Sequence, residues 1–294
     1  MKYRIIILLL IATAALWMHQ SLAQDKIPIL IRCDDIGMSH AVNTAAEEML
    51  KVGFPVSASV MFACPWYSEA VEMLKRYQNV SVGIHLTLNA EWRNYRWGPV
   101  SGSAIVPSLV DSQGYFFPSR AKLFGNNPSH NEIEIELRAQ IERAIHSGLR
   151  IDYMDYHMGA AMQTLETRAI VEQLAAEYHL AISRYFDEVD IEGGYSAPVP
   201  NKLDTLLARV KGLKPGGTKL FVFHIGHNTP ELSSMEDLNV FGPRDMSKHR
   251  QAELDALVSA DFQAVIHDKK FRLVNYRALI EERGLGAMKR PNPQ

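Results

Sequence analysis

The stretch Ile27-Pro28-Ile29-Leu30-Ile31-Arg32-Cys33-Asp34-Asp35-Ile36-Gly37 decides how this chain is read. An apolar run with the look of a buried strand ends in two adjacent carboxylates, and Ser39 then offers an N-cap for a helix starting near His40. Consecutive strand residues point to opposite faces, but at a strand-to-loop turn two such side chains can converge. Paired carboxylates repel unless a cation or a proton relieves them. The plainer alternative is one Asp capping the helix and the other facing solvent. The rest of the chain decides between these readings.

Working outward, 294 residues that are 47% hydrophobic and 22% charged suffice for one large domain with a sizeable core. A net charge of -2 gives no support for nucleic acid as a partner. Residues 1–23 differ from the rest. Lys2 and Arg4 precede an apolar run from Ile5 to Trp17, and Ser21-Leu22-Ala23 supplies small residues before a cut. This is the pattern of a secretory signal peptide, so the expectation is export to a periplasmic or extracellular space. An uncleaved anchor is the alternative, although the run is short for a span. No later apolar stretch is long enough to cross a bilayer, so no stable membrane span is expected after cleavage. Cys33 and Cys64 both follow expected strands; two small buried hydrophobes is the favoured reading, with a disulfide left open.

Short apolar runs at 27–33, 56–63, 80–86, 150–155, 180–185 and 219–224, with a weaker one at 271–274, alternate with helical patterns. Most are rich in Val and Ile without strict alternation, which suits parallel strands buried on both sides. Ser129 and Glu132 form a capping-box pattern, and Ile133, Leu137, Ile141 and Ile145 repeat at helical spacing until Gly148. Leu203, Leu206, Leu207 and Val210 mark another helix, with further ones near 164–178 and 247–259. Repeated strand–helix units mean an α/β fold. About seven parallel strands suggest a distorted (β/α) barrel, with a doubly wound open sheet as the alternative. Residues 24–294 read as a single catalytic domain.

Two stretches break the rhythm. The insertion 90–128 carries Trp92, Tyr95, Trp97, Tyr115, Phe116 and Phe117, and 228–245 is polar with Pro230, Gly242 and Pro243. Long loops in a compact domain are usually functional or disordered, and the aromatics argue against disorder. Trp92 and Trp97 either pin the insertion by packing or offer flat faces to sugar rings.

Chemistry-bearing residues recur at strand ends. Asp34-Asp35 end the first strand, Gly83-Ile84-His85-Leu86-Thr87 the third, Asp155-Tyr156-His157 the fourth, and His224-Ile225-Gly226-His227 the sixth. In parallel α/β folds the carboxyl ends of the strands share one crevice, so His85, His157 and His224 should gather near the two Asp. One carboxylate and two imidazoles make a common divalent-metal site with open positions for water and substrate. Asp155 is placed to orient a ligand from behind. A hydrogen-bonded Asp–His network without an ion is the alternative.

In these motifs the chain resembles the YdjC-type carbohydrate deacetylases, relatives of the polysaccharide deacetylases. That family's Asp-Asp-x-Gly stands here as Asp34-Asp35-Ile36-Gly37 and its Gly-x-His-Leu-Thr as Gly83-Ile84-His85-Leu86-Thr87. Its Asp-x-His stands as Asp155-Tyr156-His157 and its late His-Pro-Gly as His224-Ile225-Gly226, and the likeness runs from about residue 27 to 279. The resemblance implies a distorted barrel that removes N-acetyl groups from an amino sugar or oligosaccharide with one divalent metal, magnesium or zinc. By position it implies Asp35, His85 and His157 as metal ligands, Asp34 as general base and His224 as general acid. Ile225 replaces the motif's Pro, and Gly159 stands where relatives often carry a further His. Arg184, Trp92, Trp97 and His227 are candidate substrate contacts.

Two other functions fit the same residues: a metal hydrolase of a peptide or glycosidic bond, and an exported sugar-binding protein without catalysis. Adjacent Asp residues are poorly placed to flank both sides of a glycosidic bond.

Overall fold

The computed structural model describes residues 26–240 and 242–291; the expected export signal at 1–23 lies outside them. Among the described residues eight strands form one sheet: β1 (Ile27–Ile36), β2 (Val56–Val60), β3 (Val80–Leu86), β4 (Ile151–Tyr156), β5 (Ala181–Ile182), β6 (Glu188–Ile191), β7 (Thr218–Phe223) and β8 (Phe271–Val274). The order is β5-β4-β3-β2-β1-β7-β6, with β8 pairing β1, and every pairing is parallel. The sheet curls into a half-barrel with helices packed on it, which is the expected distorted (β/α) barrel.

β1 is the organising strand. Residues 29–33 pair with β7 along one edge. On the other edge Ile27–Leu30 pair with β8 and residues from Arg32 onward with β2. Its two faces are both buried but chemically distinct. Ile29, Ile31 and Cys33 join the large apolar layer beneath the helices. Leu30, Arg32 and Asp34 face the other way, where Leu30 meets Tyr153, Phe186, Leu220 and Tyr276 in a second core. The barrel interior is therefore apolar at the bottom and ionic at the top. The missing alternation in the sequence was a sign of burial on both faces, not of two apolar faces.

The helices are α1 (His40–Leu50), α2 (Tyr67–Leu74), α3 (Arg120–Gly125), α4 (His130–His146), α5 (Leu165–Tyr178), α6 (Lys202–Lys211), α7 (Pro230–Ser233), α8 (Met246–Val258), α9 (Ala260–Ile266) and α10 (Tyr276–Arg283). Ser39 caps α1 as expected, accepting from Val42 N. The capping box expected at α4 does not form. Ser129 makes no side-chain cap, and Glu132 instead accepts from the backbone N–H and hydroxyl of Ser108 in the insertion. The strand expected at 180–185 shortens to two residues. β6 lies outside the expected strands: Glu188-Val189-Asp190-Ile191 is a half-exposed edge with no apolar run to mark it.

The two rhythm-breaking stretches are built together. Trp92 bridges to Asp237 in antiparallel fashion, Arg93 N donates to Glu236 O and Leu238 N to Glu91 O. Trp92 and Trp97 are buried, and the Trp97 indole N–H donates to Asn89 O at 3.0 Å. Both rings are packed inside the insertion, while the Trp92 Nε1 is buried without a hydrogen-bond partner.

Candidate active site

The turn after β1 explains how neighbouring carboxylates share one site. Cys33 pairs with Ala58 and Ile36 with Val60, so β1 carries one extra residue there, a bulge holding Asp34 and Asp35. Asp35 has φ 63°, in the left-handed region, and Gly37 follows at φ 87°. The strained turn swings Asp35 onto the side that Asp34 already faces. Both are buried.

Their partners differ. The Arg32 guanidinium grips Asp34 with two bonds of 2.7 Å, Nε to Oδ1 and Nη2 to Oδ2. Burial would raise the Asp34 pKa, but Arg32, with a smaller share from His85 and His224, outweighs it and holds the carboxyl down at about 2. Arg32 Nε also lies 2.8 Å from Asp155 Oδ2, so one cation neutralises two interior carboxylates. Asp35 is different. Oδ2 accepts from Arg250 Nη2 of α8 at 2.6 Å, while buried Oδ1 has no hydrogen-bond partner.

That orphan oxygen faces two imidazoles. Asp35 Oδ1 lies 3.4 Å from His85 Nε2 and 3.2 Å from His157 Nδ1, and the two ring nitrogens are 3.3 Å apart. Each ring is held from behind by a carboxylate. His85 Nδ1 is 2.9 Å from Asp155 Oδ1, and His157 Nε2 is 2.9 Å from Glu91 Oε2. When neutral, each ring donates backwards and turns its lone pair toward Asp35 Oδ1. Burial would lower both histidine pKa values. Asp155 and Asp34 outweigh it at His85, raising it to about 10, and Glu91 and Asp35 do so at His157, raising it to about 9. The pocket thus favours positive charge among its nitrogens.

These observations fit a divalent ion. A hard oxygen without a partner and two pre-oriented imidazole nitrogens converge on one point, with their donor atoms all within 4.8 Å of each other. Asp34, His85 and Asp155 also cluster, but Arg32 already occupies the space between those two carboxylates, so that group is an ionic anchor. Asp155 sits behind His85, not behind the His157 two residues away.

The motif glycine is explained by contact. A Cβ at Gly83 would lie 2.3–2.5 Å from the Tyr153 ring. Tyr153 Oη pairs with Ser59 Oγ at 2.7 Å, and Ser59 donates to Asp155 Oδ2 at 2.8 Å. Only glycine lets that ring lie across β3 and support the Asp155–His85 pair.

His224 stands outside the three-donor cluster. Its backbone N–H donates to Glu253 Oε2 at 2.8 Å, its ring lies 5.3 Å from the Tyr195 ring, and its Nδ1 is buried without a partner. Ile225, in place of the motif's Pro, is buried, and Gly226 lies against Leu232 and Arg250. His227 is not brought to the cluster; its ring meets Gln251 at 3.3 Å and Glu48 at 3.6 Å. Arg184 pairs with Asp190 at 2.8 Å and lies over the Tyr156 ring. Trp97 is 6.1 Å from the His157 ring but buried. At Gly159, φ is 73° and a Cβ would sit 3.2 Å from Arg120 Nη1, so Arg120 takes up that space.

No sequence pattern points to Glu91 or Arg250, which the fold brings to the site. Glu91 is an isolated acid in an aromatic loop, and Arg250 a cation in a polar helical run, so neither has a spacing that points to the strand ends. Cys33 and Cys64 are buried free thiols. Among the described residues no helix is long and apolar enough to cross a membrane.

Known proteins agree with this architecture. A carbohydrate deacetylase of Brevibacillus brevis is 30% identical over 264 residues, covering 85% of this chain and 99% of its own. A carbohydrate deacetylase of Thermoanaerobacter pseudethanolicus is 27% identical over 265 residues, covering 85% and 98%. A crystal structure from Enterococcus faecalis V583, of a protein assigned to cellobiose-phosphate cleavage, superposes with a TM-score of 0.71 at 23% identity, covering 86% of this chain and 99% of that one. The profile of the YdjC-like proteins matches residues 28–268, and the chain belongs to that family.

Proposed function

We propose that the protein is a metal-dependent hydrolase that removes the N-acetyl group of an amino sugar or oligosaccharide. The observation that carries the reading is the convergence of Asp35 Oδ1, His85 Nε2 and His157 Nδ1 around an oxygen with no hydrogen-bond partner. Carbohydrate deacetylases that align over nearly their whole length support the reaction class.

Asp35, His85 and His157 would hold the ion. Two imidazoles suit zinc and neighbouring first-row ions, and the carboxylate suits magnesium as well, so both belong in the assay. Bound there, a divalent ion supplies Lewis acidity that polarises an amide carbonyl and brings the pKa of water down toward about 7. Asp34, ionised at neutral pH and fixed by Arg32, takes up the proton of the attacking water. Tethering both of its oxygens to one guanidinium costs basicity and gains a fixed direction. His224 gives a proton to the departing amine, and because Nδ1 is buried, Nε2 is the edge of the ring that does so. No side-chain nucleophile is required. The thiols of Cys33 and Cys64 are buried and their pKa values pushed up by that burial, and Ser59 is engaged by Tyr153 and Asp155.

An acetate-release screen over N-acetylated sugars tests this, with reducing ends and free peptide amines read in the same samples. Acetate with matching free amine supports deacetylation. New reducing ends would favour glycosidic cleavage, new peptide termini a peptidase, and binding without product a non-catalytic sugar binder. The basic start and apolar run of residues 1–23 support export. N-terminal sequencing of protein from its host checks this, and a retained Met1 in a membrane fraction would reject cleavage.

A further inference from the structure

Tyr195 lies beside the proposed acid and belongs to none of the motifs. It follows β6 and is 38% exposed, unlike buried Trp92 and Trp97. Its ring centroid is 5.3 Å from that of His224, at an interplanar angle of 61°.

This proximity is built in. Lys202, itself buried, donates its ammonium to Gly194 O and Tyr195 O, each at 3.0 Å, and to Glu253 Oε1 at 3.1 Å. The other oxygen of Glu253 accepts from His224 N at 2.8 Å. One buried ion pair therefore fixes the backbone of Tyr195 and of His224 together. The approach to Tyr195 is equally constrained: Gly194 has φ 119°, and a Cβ at Gly193 would press on the Phe221 and Phe223 rings at 3.2–3.3 Å. The Lys202 ammonium also lies 5.9 Å from the Tyr195 ring centroid.

We infer that Tyr195 is a substrate-contacting residue, an aromatic wall for the sugar ring that carries the leaving amine. The inference rests on the deacetylase reading and deepens it. A general acid must come within about 3 Å of the atom it protonates. In an N-acetylated amino sugar that nitrogen is bonded directly to the pyranose ring. A sugar whose nitrogen meets His224 must therefore bring its ring carbons next to His224, within reach of Tyr195. The C–H face of a pyranose is apolar and matches the electron-rich face of an aromatic ring. The Tyr195 hydroxyl is not needed for this contact; the ring is.

The test uses metal-loaded full-length protein and the N-acetylated hexosamine that the wild type turns over fastest. Tyr195→Ala should raise KM about tenfold or more, the scale of losing one apolar contact in a binding site, with a smaller change in kcat. Bound metal should stay unchanged, and Tyr195→Phe should retain the wild-type KM. A fall in kcat with unchanged KM in Tyr195→Ala would mean that the ring only braces His224, and would overturn the inference. So would a Tyr195→Phe variant as impaired as the Ala variant. Tyr195→Trp gives a second readout that keeps the aromatic volume: added glucosamine should change the emission of the new indole, measured against wild type as the background. No difference from wild type at saturating sugar counts against the contact. Absence of acetate release by the wild type with every N-acetylated sugar would instead reject the deacetylase reading.

Discussion

His157 Nε2 and Glu91 Oε2 lie 2.9 Å apart, both side chains buried, and this pair joins the aromatic insertion to the candidate metal centre. The insertion is thus part of the site. Its buried tryptophans and its bridge to Asp237 hold Glu91 where it fixes which nitrogen of His157 faces Asp35.

Replacing that carboxylate should loosen the ion without unfolding the barrel. Glu91→Gln keeps the size of the side chain but loses the charge, and metal affinity should fall about 10- to 100-fold. Competition against a chelator of known affinity measures it. Unchanged affinity would mean that His157 does not present Nδ1 to the ion.

The two Asp residues should separate by phenotype. Asp34→Asn should keep metal and lose turnover, whereas Asp35→Asn should lose metal, because Oδ1 of Asp35 is the oxygen left without a hydrogen-bond partner. His224→Ala should keep metal and slow acetate release, and loss of either acid or base typically costs about 100- to 10,000-fold. Metal content and rate, measured on the same preparations, check both. Metal lost from Asp34→Asn but kept by Asp35→Asn would exchange their roles.

How much of this could be read in advance varied by element. The gathering of Asp34, Asp35, His85 and His157 was legible because parallel strands deliver their carboxyl ends to one crevice, so three separate stretches converge without any contact being known. Arg32 sat in the same stretch, but its grip on Asp34 and Asp155 depends on β1 turning that face inward, which an unbroken apolar run does not disclose. Glu91 and Arg250 reach the site from a loop and a helix, where no period encodes direction. The Glu132 carboxylate found Ser108 in the insertion instead of capping its own helix, a tertiary partner displacing a local one.

Acid stability should report the Arg32 clamp. The Asp34 pKa is lowered to about 2 in the folded chain, against about 3.9 unfolded, so its contribution is present above the unfolded value and lost as pH falls through about 2. The linkage amounts to about 2–3 kcal/mol for the metal-free protein at neutral pH. Urea unfolding of chelator-treated samples between pH 2 and pH 5 should show a steeper loss toward acid in wild type than in Asp34→Asn. Parallel curves would show that Asp34 is not held ionised in the folded state.

Gly83→Ala should be destabilising out of proportion to one methyl group. The new Cβ would overlap the Tyr153 ring, and overpacking of this kind costs about 1–3 kcal/mol. The ring would have to leave Ser59, weakening the support of Asp155 and His85. Thermal unfolding of metal-free protein should shift downward by several degrees, and metal affinity should fall with it. An unchanged midpoint would show that Tyr153 has room to move.

The most direct test is acetate release by protein stripped of metal and then titrated with zinc or magnesium. Stripped protein should release almost no acetate from an N-acetylated amino sugar. Activity should return in proportion to added ion and level off at about one ion per chain, as a single Asp35–His85–His157 centre requires. Undiminished acetate release after complete removal of metal would contradict the account.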